Sequence, residues 1–569
     1  MKLRIFAILA LSLLSAALYL NSLGNSFHFD DLPNIVENPY IKNLNDLPSL
    51  LRGIQSLTGP FRALPTLSFA VNYRLHKLNV LGYHLVNLIL HILSGILVFL
   101  ISRKLFAFEL RQKRSPLGDS SDPLESKITL LSFFSAAIFL FHPIQVNTVT
   151  YIIGRNEGMA GFFYLLSFYL FIKASLVEGG RRRFLLFLGV GLSGLFSIFS
   201  KEIGLTLPVV LILFDLIFIC TGREDYIKRL KIYVPVFFCL SLYILFFLRG
   251  GILRLLINSK EMQWSPWEHL LTQANVILQY FKLLLLPLPR WLSVDHDFTA
   301  SKSLWEYPTL ISAFVLLFLL VFAVVRMRKN RLISLSIFWF FVILAPTSSI
   351  LPTWDLMVEY RLYLPIFSYA LLLTLGLYYL HALLSRYFSF KLSRALLLGL
   401  STLVLGFYSL TTVERNSVFK NAVSLWTDAA KKSPNKMRVH HNLARAYFFQ
   451  KGRLDDAIRE GEIALKLSAD LYKKQNVKYV LNLLGGAYSV KGETRKAIDS
   501  LQRAIQIDPN YATSYYNLSC IYATQKERIE ALEYLKKAIS LDGKYKEKAR
   551  ADKDFVSLRG EREFEEIIQ

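Results

Sequence analysis

Two adjacent carboxylates, Asp30 and Asp31, closely follow the first apolar run of the chain. A carboxylate whose pKa lies near the working pH can accept the proton of an attacking hydroxyl, and a like-charged neighbour beside a low-dielectric surface raises the pKa in that direction. Because adjacent side chains seldom point the same way, we expect one aspartate to act as the base and the other to orient it. An Asx turn or a helix cap is the competing interpretation.

Other acidic and basic residues recur in or beside several apolar runs. Arg and Lys side chains stabilise the charge that develops on a departing phosphate through charge-assisted hydrogen bonds. Transfer of a group from a lipid phosphate to a hydroxyl is the chemistry that needs acidic and basic side chains together. The candidates for contact with the donor phosphate or sugar are His84, His91, His142, Arg155, Lys201, Glu202, Glu359 and Arg361.

The charged candidates also have structural interpretations. Lys201 and Glu202 are adjacent in a tight turn, where they could form an internal ion pair. Arg155 and Arg361 could instead neutralise lipid headgroups at the membrane surface.

The histidine candidates have similar alternatives. His84, Asn87 and His91 lie at i, i+3 and i+7 and therefore share one face of a helix. Such a polar stripe favours interhelical hydrogen bonds, and contact with a lipid phosphate or a sugar ring is the alternative. His142 precedes Pro143 and is either a structural cap or a ligand.

The composition indicates a polytopic membrane protein. Hydrophobic residues make up 53% of the 569 and charged residues only 19%. The net charge of +24 arises mostly from basic clusters in short connections, which is typical of topology signals rather than of nucleic-acid binding. Three cysteines form no readable disulfide framework. No zinc motif or Gly-rich phosphate loop occurs, so we predict no metal site and no cofactor besides a lipid-linked donor, and a metal requirement stays open.

Eleven apolar runs are long enough, or nearly so, to cross the hydrocarbon of a bilayer. We interpret the first as a span rather than a cleaved signal peptide. The basic connections alternate as the positive-inside rule requires for a cytoplasmic N-terminus, which places the long loop 21–83 and the tail from 413 outside. The runs lie near residues 3–20, 84–106, 128–141, 158–176, 184–199, 203–220, 231–248, 309–325, 332–348, 362–381 and 394–412.

One further apolar stretch does not fit this count. The sequence "HLLTQANVILQYFKLLLLPLP" has both flanks assigned to the outer side. An interfacial or re-entrant helix is therefore predicted there.

The tail beyond residue 413 is charged, Ala-rich and amphipathic. Ala497 and Ala531 are 34 residues apart, which is the tetratricopeptide period. Stacked helix pairs of this kind present a curved surface that binds peptide or protein segments, and a tail that only rigidifies or dimerises the protein is the alternative. The predicted repeats lie near 438–471, 477–510 and 511–544.

Ordered motifs along the chain resemble one known family. They include "FHFDDLPNIVENPYI", "GYHLVNLILHILSG", "FHPIQVNTVTYIIGRNE", "SKEIGLTLPVVLILFD" and "EYRLYLP". Together with the repeats, they resemble the transmembrane and tetratricopeptide repeat-containing O-mannosyltransferase family of the GT-C glycosyltransferase superfamily. The resemblance implies an all-α fold, with a GT-C-like bundle of about 11 transmembrane helices over 1–412 and a tetratricopeptide α-solenoid over 413–569. It also implies that Asp30 and Asp31 form the acidic motif of the superfamily.

The same resemblance implies an activity. Members of the family are inverting transferases. They pass a sugar, here mannose or another hexose, from a polyprenyl phosphate to a Ser or Thr hydroxyl of a protein. The short repeat array resembles bacterial members, which implies undecaprenyl phosphate as carrier, the inner membrane as location, and a periplasmic active face and repeat domain. The segment "YLPIFSYA" departs from the family by lacking a small Ser/Gly pair after "YLP". Competing functions are transfer to a lipid or surface glycan and a non-enzymatic scaffold or transporter.

The topology prediction has a direct test. Alkaline phosphatase, which is active only outside the cytoplasm, should be active when fused within residues 21–44 and when fused after Gln569. A fusion within the basic connection "EGGRRR" is the control and should be inactive. Activity of only one of the first two fusions would place the aspartates and the repeats in different compartments.

Overall fold

The computed structural model describes residues 2–44, 62–112, 124–220, 264–468 and 474–569, together with seven isolated positions. Throughout these residues the secondary structure is helical and contains no strand, which confirms the predicted all-α fold class. The chain divides into two compact units. The first comprises Met1–Val294 and Phe298–Asn421, and the second comprises Asp295–Asp297 and Ala422–Gln569.

The first unit contains eight helices, among the described residues, that are long and apolar enough to cross a membrane. Their outer faces carry large apolar side chains such as Phe6, Phe318 and Leu403, which are 66 to 70% exposed. A surface of this kind suits hydrocarbon rather than water. The candidate spans are Lys2–Ser22, Val80–Arg111, Leu124–Phe141, Ile152–Ser175, Glu202–Ile219, Tyr307–Arg326, Ile366–Leu384 and Phe390–Val418.

Three of the eleven predicted spans have no counterpart among these eight. The run 184–199 lies in helix Gly180–Ile198, whose three arginines near its N-terminus interrupt the apolar composition. The run 332–348 corresponds to the shorter apolar helix Arg331–Leu344. The run 231–248 lies outside the described residues. The count of eleven therefore stays a prediction.

Shorter elements complete the first unit. A helix does form over the stretch predicted to be interfacial or re-entrant, Pro266–Leu285, and it begins with a capping box between Ser265 and Glu268. Its position at the membrane interface stays a prediction. The remaining elements that position side chains discussed below are the helix Ala63–His76, the π-helical turn Leu32–Val36, the helix Val146–Val149, and the 3-10 turns Pro143–Gln145, Ile152–Gly154, Glu202–Thr206 and Glu359–Leu362.

The first loop is tied to the end of the last span. Asn25 Nδ2 donates to the carbonyl oxygen of Asn416 at 3.0 Å, and the Ser26 amide donates to the carbonyl oxygen of Lys420 at 3.2 Å. Asn416 Nδ2 in turn donates to the carbonyl oxygen of Leu18 at 3.0 Å. The residues that precede the aspartates therefore lie at the same end of the bundle as residues 416–420.

The second unit is a series of antiparallel helix pairs. Ala457, Ala497 and Ala531, the residues that carry the repeat period, are at most 1% exposed because neighbouring helices approach closely there. The predicted boundary at 412/413 lies inside the helix Phe390–Val418, and the two units divide at 421/422 instead. The α-helices of the second unit are Ala422–Lys432, Met437–Phe448, Leu454–Leu467, Lys474–Lys491, Thr494–Ile507, Ala512–Thr524, Arg528–Leu541, Lys544–Ala551 and Arg562–Ile568.

A buried carboxylate holds Asp295–Asp297 in the second unit. Arg438 donates to both oxygens of Asp295, at 2.6 and 2.7 Å, and Lys436 pairs with the same carboxylate. Ser433 Oγ donates to the Asp295 carbonyl oxygen at 2.7 Å. Burial opposes ionisation, but the two cations outweigh it and hold the pKa of Asp295 below its ordinary value. This carboxylate is a structural ion-pair partner.

Candidate active site

Residues 28–32 form a tight turn that we call the acidic turn. The Asp31 amide donates to the His28 carbonyl oxygen at 2.7 Å, and the Leu32 amide donates to the Phe29 carbonyl oxygen at 3.2 Å. Phe29 adopts a positive φ of 40°, which is uncommon for a residue with a side chain. Because the chain makes these two consecutive turns, the side chains of Asp30 and Asp31 point in different directions.

Asp31 is fully buried and acts as a structural acceptor. Its Oδ2 accepts the His28 amide at 2.9 Å, and its Oδ1 accepts the Ile153 amide at 2.8 Å. The carboxyl therefore joins the acidic turn to the segment that leads into the helix Arg155–Ser175. Burial raises the pKa of Asp31 to about 8, although the two amides and the charge of Arg155 act in the opposite direction.

Asp30, in contrast, is exposed. Its amide donates to the Tyr151 hydroxyl at 3.0 Å, so that its main chain is held while its side chain points outward. Of the two predicted catalytic aspartates, only Asp30 is therefore accessible to a substrate. The structure brings both into one turn and gives them different environments.

His28 is a residue of this turn that the sequence interpretation did not select. Its Nε2 donates to the Phe419 carbonyl oxygen at 2.6 Å, and burial lowers the pKa of the imidazole to about 4. The ring is thus neutral at neutral pH and links the acidic turn to the end of the last span. Its place in the motif "FHFDD" was the available sequence signal.

Arg155 is a buried cation that donates hydrogen bonds to several parts of the first unit. The side chain is 1% exposed, and its guanidinium lies 4.4 Å from the centre of the Phe69 ring. Four of its five N–H groups are engaged within the protein. The acceptors are the side-chain oxygens of Ser68, Asn72 and Asn87 and the carbonyl oxygen of Tyr83, at 2.6 to 3.2 Å. The guanidinium is therefore bonded within the protein, and a role of Arg155 in contacting the donor stays a prediction.

The polar stripe of the second span makes interhelical hydrogen bonds. His84 Nε2 donates to the Asn25 carbonyl oxygen at 2.9 Å, and His91 Nε2 donates to the Leu140 carbonyl oxygen at 3.1 Å. Asn87 Nδ2 lies 3.1 to 3.4 Å from three carbonyl oxygens in residues 149–152. All three side chains are buried and bonded within the protein, and contact of His84 or His91 with the donor stays a prediction.

His142 and Glu359 are also engaged in structural contacts. His142 Nδ1 accepts the Ile144 amide at 3.2 Å as a cap, and its Nε2 donates to the Leu284 carbonyl oxygen at 3.1 Å. Glu359 accepts Asn147 Nδ2 and the Ser293 amide, both at 2.6 Å. These two candidates lie in the protein interior and fix the connections between spans.

Lys201 forms an ion pair with Glu157, which is 44 residues away in sequence, rather than with its neighbour Glu202. Both side chains are 11% exposed, and the Lys201 ammonium lies 4.4 Å from the centre of the Tyr360 ring. The cation thus joins the residue before the 3-10 turn Glu202–Thr206 to the helix Arg155–Ser175, in place of the ion pair between neighbours that was the alternative interpretation. Glu157 and Tyr360 were not among the predicted site residues, although both lie in the quoted motifs.

A small pocket lies beside this ion pair. Three of the predicted donor-contacting residues, Lys201, Glu202 and Arg361, line it. Its apolar wall includes Ile203, Ile343 and Leu364. The pocket therefore combines cationic and anionic groups with a hydrocarbon surface, which is the composition that a charged lipid headgroup requires.

Arg361 retains its positive charge at this pocket. The residue is 8% exposed, and the carboxylates in the described part of the chain make no ion pair with its guanidinium. Its acceptors are neutral oxygens of Thr353, Asp355 and Leu356, at 2.8 to 3.1 Å. A buried cation with neutral partners favours an anionic ligand.

Tyr151 contacts the acidic turn, and Tyr360 lines the pocket. The Tyr151 hydroxyl accepts a hydrogen bond from the Asp30 amide. Burial raises the pKa of Tyr151 well above its ordinary value, and the charges of Asp31 and Asp30 and the Tyr360 hydroxyl act in the same direction. An exposed carboxylate at the acidic turn and a cation at the pocket are the two kinds of group that suit transfer of a group from a phosphate to a hydroxyl.

Comparison with known proteins identifies the repeats. A "TPR repeat" family model matches residues 485–526, and a "Tetratricopeptide repeat" model matches residues 512–545. These matches cover the second and third predicted helix pairs. The C-terminal part of the chain therefore contains tetratricopeptide repeats, as predicted.

Curated relatives share the similarity over most of the chain. Protein O-mannosyl-transferase F38B6.6 of Caenorhabditis elegans is 25% identical over 81% of this chain and 62% of its own length, and Protein O-mannosyl-transferase Tmtc3 of Drosophila melanogaster is 24% identical over 93% and 63%. Protein O-mannosyl-transferase TMTC2 of Mus musculus is 32% identical over 36% of this chain and 23% of its own length. The chain spans about three fifths of the length of the first two relatives. It is a multi-pass membrane protein with C-terminal tetratricopeptide repeats, homologous to proteins named O-mannosyl-transferases.

The raised pKa of Asp31 predicts that the stability of the acidic turn depends on pH. The folded carboxyl has a pKa of about 8, against an ordinary value of 3.8, so the folded state binds more protons between these values. Stability should therefore fall as the pH rises from about 4 to about 8. Hydrogen–deuterium exchange of residues 21–44, corrected for the intrinsic chemical rate at each pH, should show decreasing protection over this interval.

Asp31→Asn, whose side chain does not titrate, is the matched control and should show no such slope. An equal slope in both proteins would assign the titration to another group.

Proposed function

We propose that the protein is a membrane glycosyltransferase that transfers a hexose, with mannose as the leading candidate, from a polyprenyl phosphate to a Ser or Thr hydroxyl of a protein. The observations that carry the proposal are the exposed carboxylate of Asp30 and the pocket lined by the cation of Arg361. The names of the relatives support the same reaction class. The lipid-linked sugar is the substrate, and the proposal uses no separate cofactor.

Asp30 is the proposed base. The acceptor oxygen attacks the anomeric carbon and forms the new glycosidic bond, while the bond between that carbon and the phosphate oxygen breaks. The hydroxyl proton passes to Asp30, and the polyprenyl phosphate departs with the electron pair of the broken bond. A single displacement of this kind inverts the anomeric configuration. Asp31 orients the turn through its two main-chain hydrogen bonds, which agrees with a division of roles between the two acids.

Arg361 is the proposed partner of the departing phosphate. It faces the pocket as a cation with neutral acceptors, whereas Lys201 is already neutralised by Glu157. Lys201 therefore contributes mainly by fixing Glu157 and Tyr360 at the pocket wall. The apolar wall of the pocket supports the assignment, because the first isoprene units of the carrier need a hydrocarbon surface.

The proposed location of the reaction is the outer face of a bacterial inner membrane, with the N-terminus cytoplasmic and the repeats periplasmic. Residues 25–26 are bonded to residues 416–420, so the acidic turn lies at the end of the bundle from which the chain continues into the repeats. Tetratricopeptide arrays bind protein segments along their helices. We therefore assign the repeats to docking of the protein acceptor, in the same compartment as Asp30.

Asp30→Asn should lower transfer by about 100-fold or more, because loss of a general base typically costs that factor. The measurement uses purified full-length protein, undecaprenyl phosphate carrying labelled mannose, and membrane proteins from cells that lack the enzyme as acceptors. Glu37→Gln, which removes another exposed acid of the same loop, is the matched control and should retain activity. Equal transfer by Asp30→Asn and wild type would remove the base assignment, and label that appears in glycolipid would indicate a lipid acceptor instead.

Removal of residues 422–569 should reduce transfer to protein more than it reduces carrier binding. The deletion begins after Asn421 because residues 416–420 support the first loop and must remain. Binding of undecaprenyl phosphate to the truncated protein, compared with the full chain, is the control for an intact membrane unit. Equal losses of binding and transfer would contradict a docking role for the repeats.

A further inference from the structure

One helix of the first unit presents a polar face to a single neighbouring segment. The helix is Pro266–Leu285, and the segment is residues 349–358. Three buried side chains on this face, at 269, 273 and 280, form hydrogen bonds to main-chain oxygens of the segment. The pairs are His269 Nδ1 with Ser349, Gln273 Nε2 with Leu356, and the Tyr280 hydroxyl with Val358, at 2.8, 2.9 and 2.9 Å.

Arg361 takes its acceptors from the same segment. Its Nη1 donates to the Leu356 carbonyl oxygen at 3.1 Å, which Gln273 Nε2 also contacts. Its Nη2 donates to Thr353 Oγ1 at 3.1 Å, and His269 Nε2 lies 3.2 Å from that hydroxyl. One of the oxygens that hold the guanidinium, that of Leu356, is therefore itself held by the helix, and the Thr353 hydroxyl is in contact with it.

The hydrogen-bond pattern defines the state of His269. A carbonyl oxygen only accepts, so the contact with Ser349 requires the proton on Nδ1. The Nε2 atom is then an acceptor, and Gln273 Nε2 lies 3.3 Å from it. The single lone pair of His269 Nε2 accepts one donor at a time, either Gln273 Nε2 or the Thr353 hydroxyl at 3.2 Å. Burial, followed by the charge of Arg361, lowers the pKa of His269 and so favours the neutral ring.

We propose that His269 and Gln273 are positioning residues for Arg361. They fix the segment 349–358 so that the guanidinium stays directed at the pocket in which the donor phosphate binds. This inference rests on the proposed function and deepens it, because it assigns a role to a helix that the reaction does not otherwise use.

The physical reason is pre-organisation. An arginine side chain has several rotatable bonds, and ordering it only when the ligand binds would reduce the affinity. Here the acceptors are fixed before the ligand arrives, and no carboxylate of the described residues pairs with the guanidinium and competes with a phosphate. Displacing Leu356 or Thr353 would move the cation without removing it.

The test measures binding of undecaprenyl phosphate and the kinetics of mannose transfer with full-length protein in detergent. Gln273→Met, which keeps the side-chain length but removes the donor, and His269→Ala should each weaken carrier binding by about 10-fold. The KM for the donor should rise in parallel, whereas the KM for the protein acceptor should not change. His269→Asn keeps an N–H donor near the Nδ1 position and should restore most of the affinity.

The double variant provides the decisive comparison. If His269 acts through Arg361, then His269→Ala combined with Arg361→Gln should bind the carrier no more weakly than Arg361→Gln alone. Additive losses would overturn the proposal. Asn275→Ala is the matched control on the same helix, because Asn275 bonds to Ser301 and Thr309 instead, and it should leave carrier binding unchanged.

Two outcomes separate this inference from the proposed function. Wild-type protein that neither binds the carrier nor transfers mannose would overturn the proposed function and this inference with it. Wild-type protein that does both, while the His269 and Gln273 variants behave like the Asn275 control, would overturn only the positioning role. A variant that fails to purify as a folded species is replaced in the comparison by the other one, since each removes a different contact between the helix and the segment.

Discussion

The burial of one carboxyl group, Asp31, determines the arrangement of the site around it. Main-chain N–H groups in a poorly hydrated region need acceptors, and Asp31 provides one for His28 and one for Ile153. It thereby fastens the first outer loop to the segment before the helix Arg155–Ser175. Arg155 continues the connection, because its guanidinium joins residues of two other helices. The site is thus built on a continuous polar network inside an otherwise apolar bundle, and such networks are rigid when their members are satisfied.

The paired aspartates show how neighbouring residues of one type acquire different roles. Asp31 is buried and holds the main chain of the turn, whereas Asp30 is exposed at the surface of the turn. The same separation occurs among the cations. Arg155 is enclosed by four internal acceptors, Lys201 is neutralised by Glu157, and Arg361 keeps its charge beside the pocket. Burial and partners, rather than residue type, decide which charges remain available to a substrate.

Both units use a buried ionic or polar contact to hold a connecting segment. In the first unit the helix Pro266–Leu285 bonds the segment that precedes Arg361, and in the second unit Arg438 and Lys436 hold Asp295. These segments connect apolar helices and would otherwise expose main-chain groups with few partners. Fixing them by side chains from distant parts of the chain gives a precise placement that short-range turn chemistry cannot provide.

The amino-acid sequence by itself determined the features that depend on local pattern. Apolar runs predicted most of the long helices, and the spacing of Ala497 and Ala531 predicted the repeats, because hydropathy and periodicity are properties of neighbouring residues. Only the tertiary structure decided which aspartate is exposed, that Lys201 pairs with Glu157 rather than Glu202, and that Arg155 is enclosed. Those outcomes depend on contacts between residues tens to hundreds of positions apart. No local pattern specifies them, since burial and pairing arise only when the helices pack.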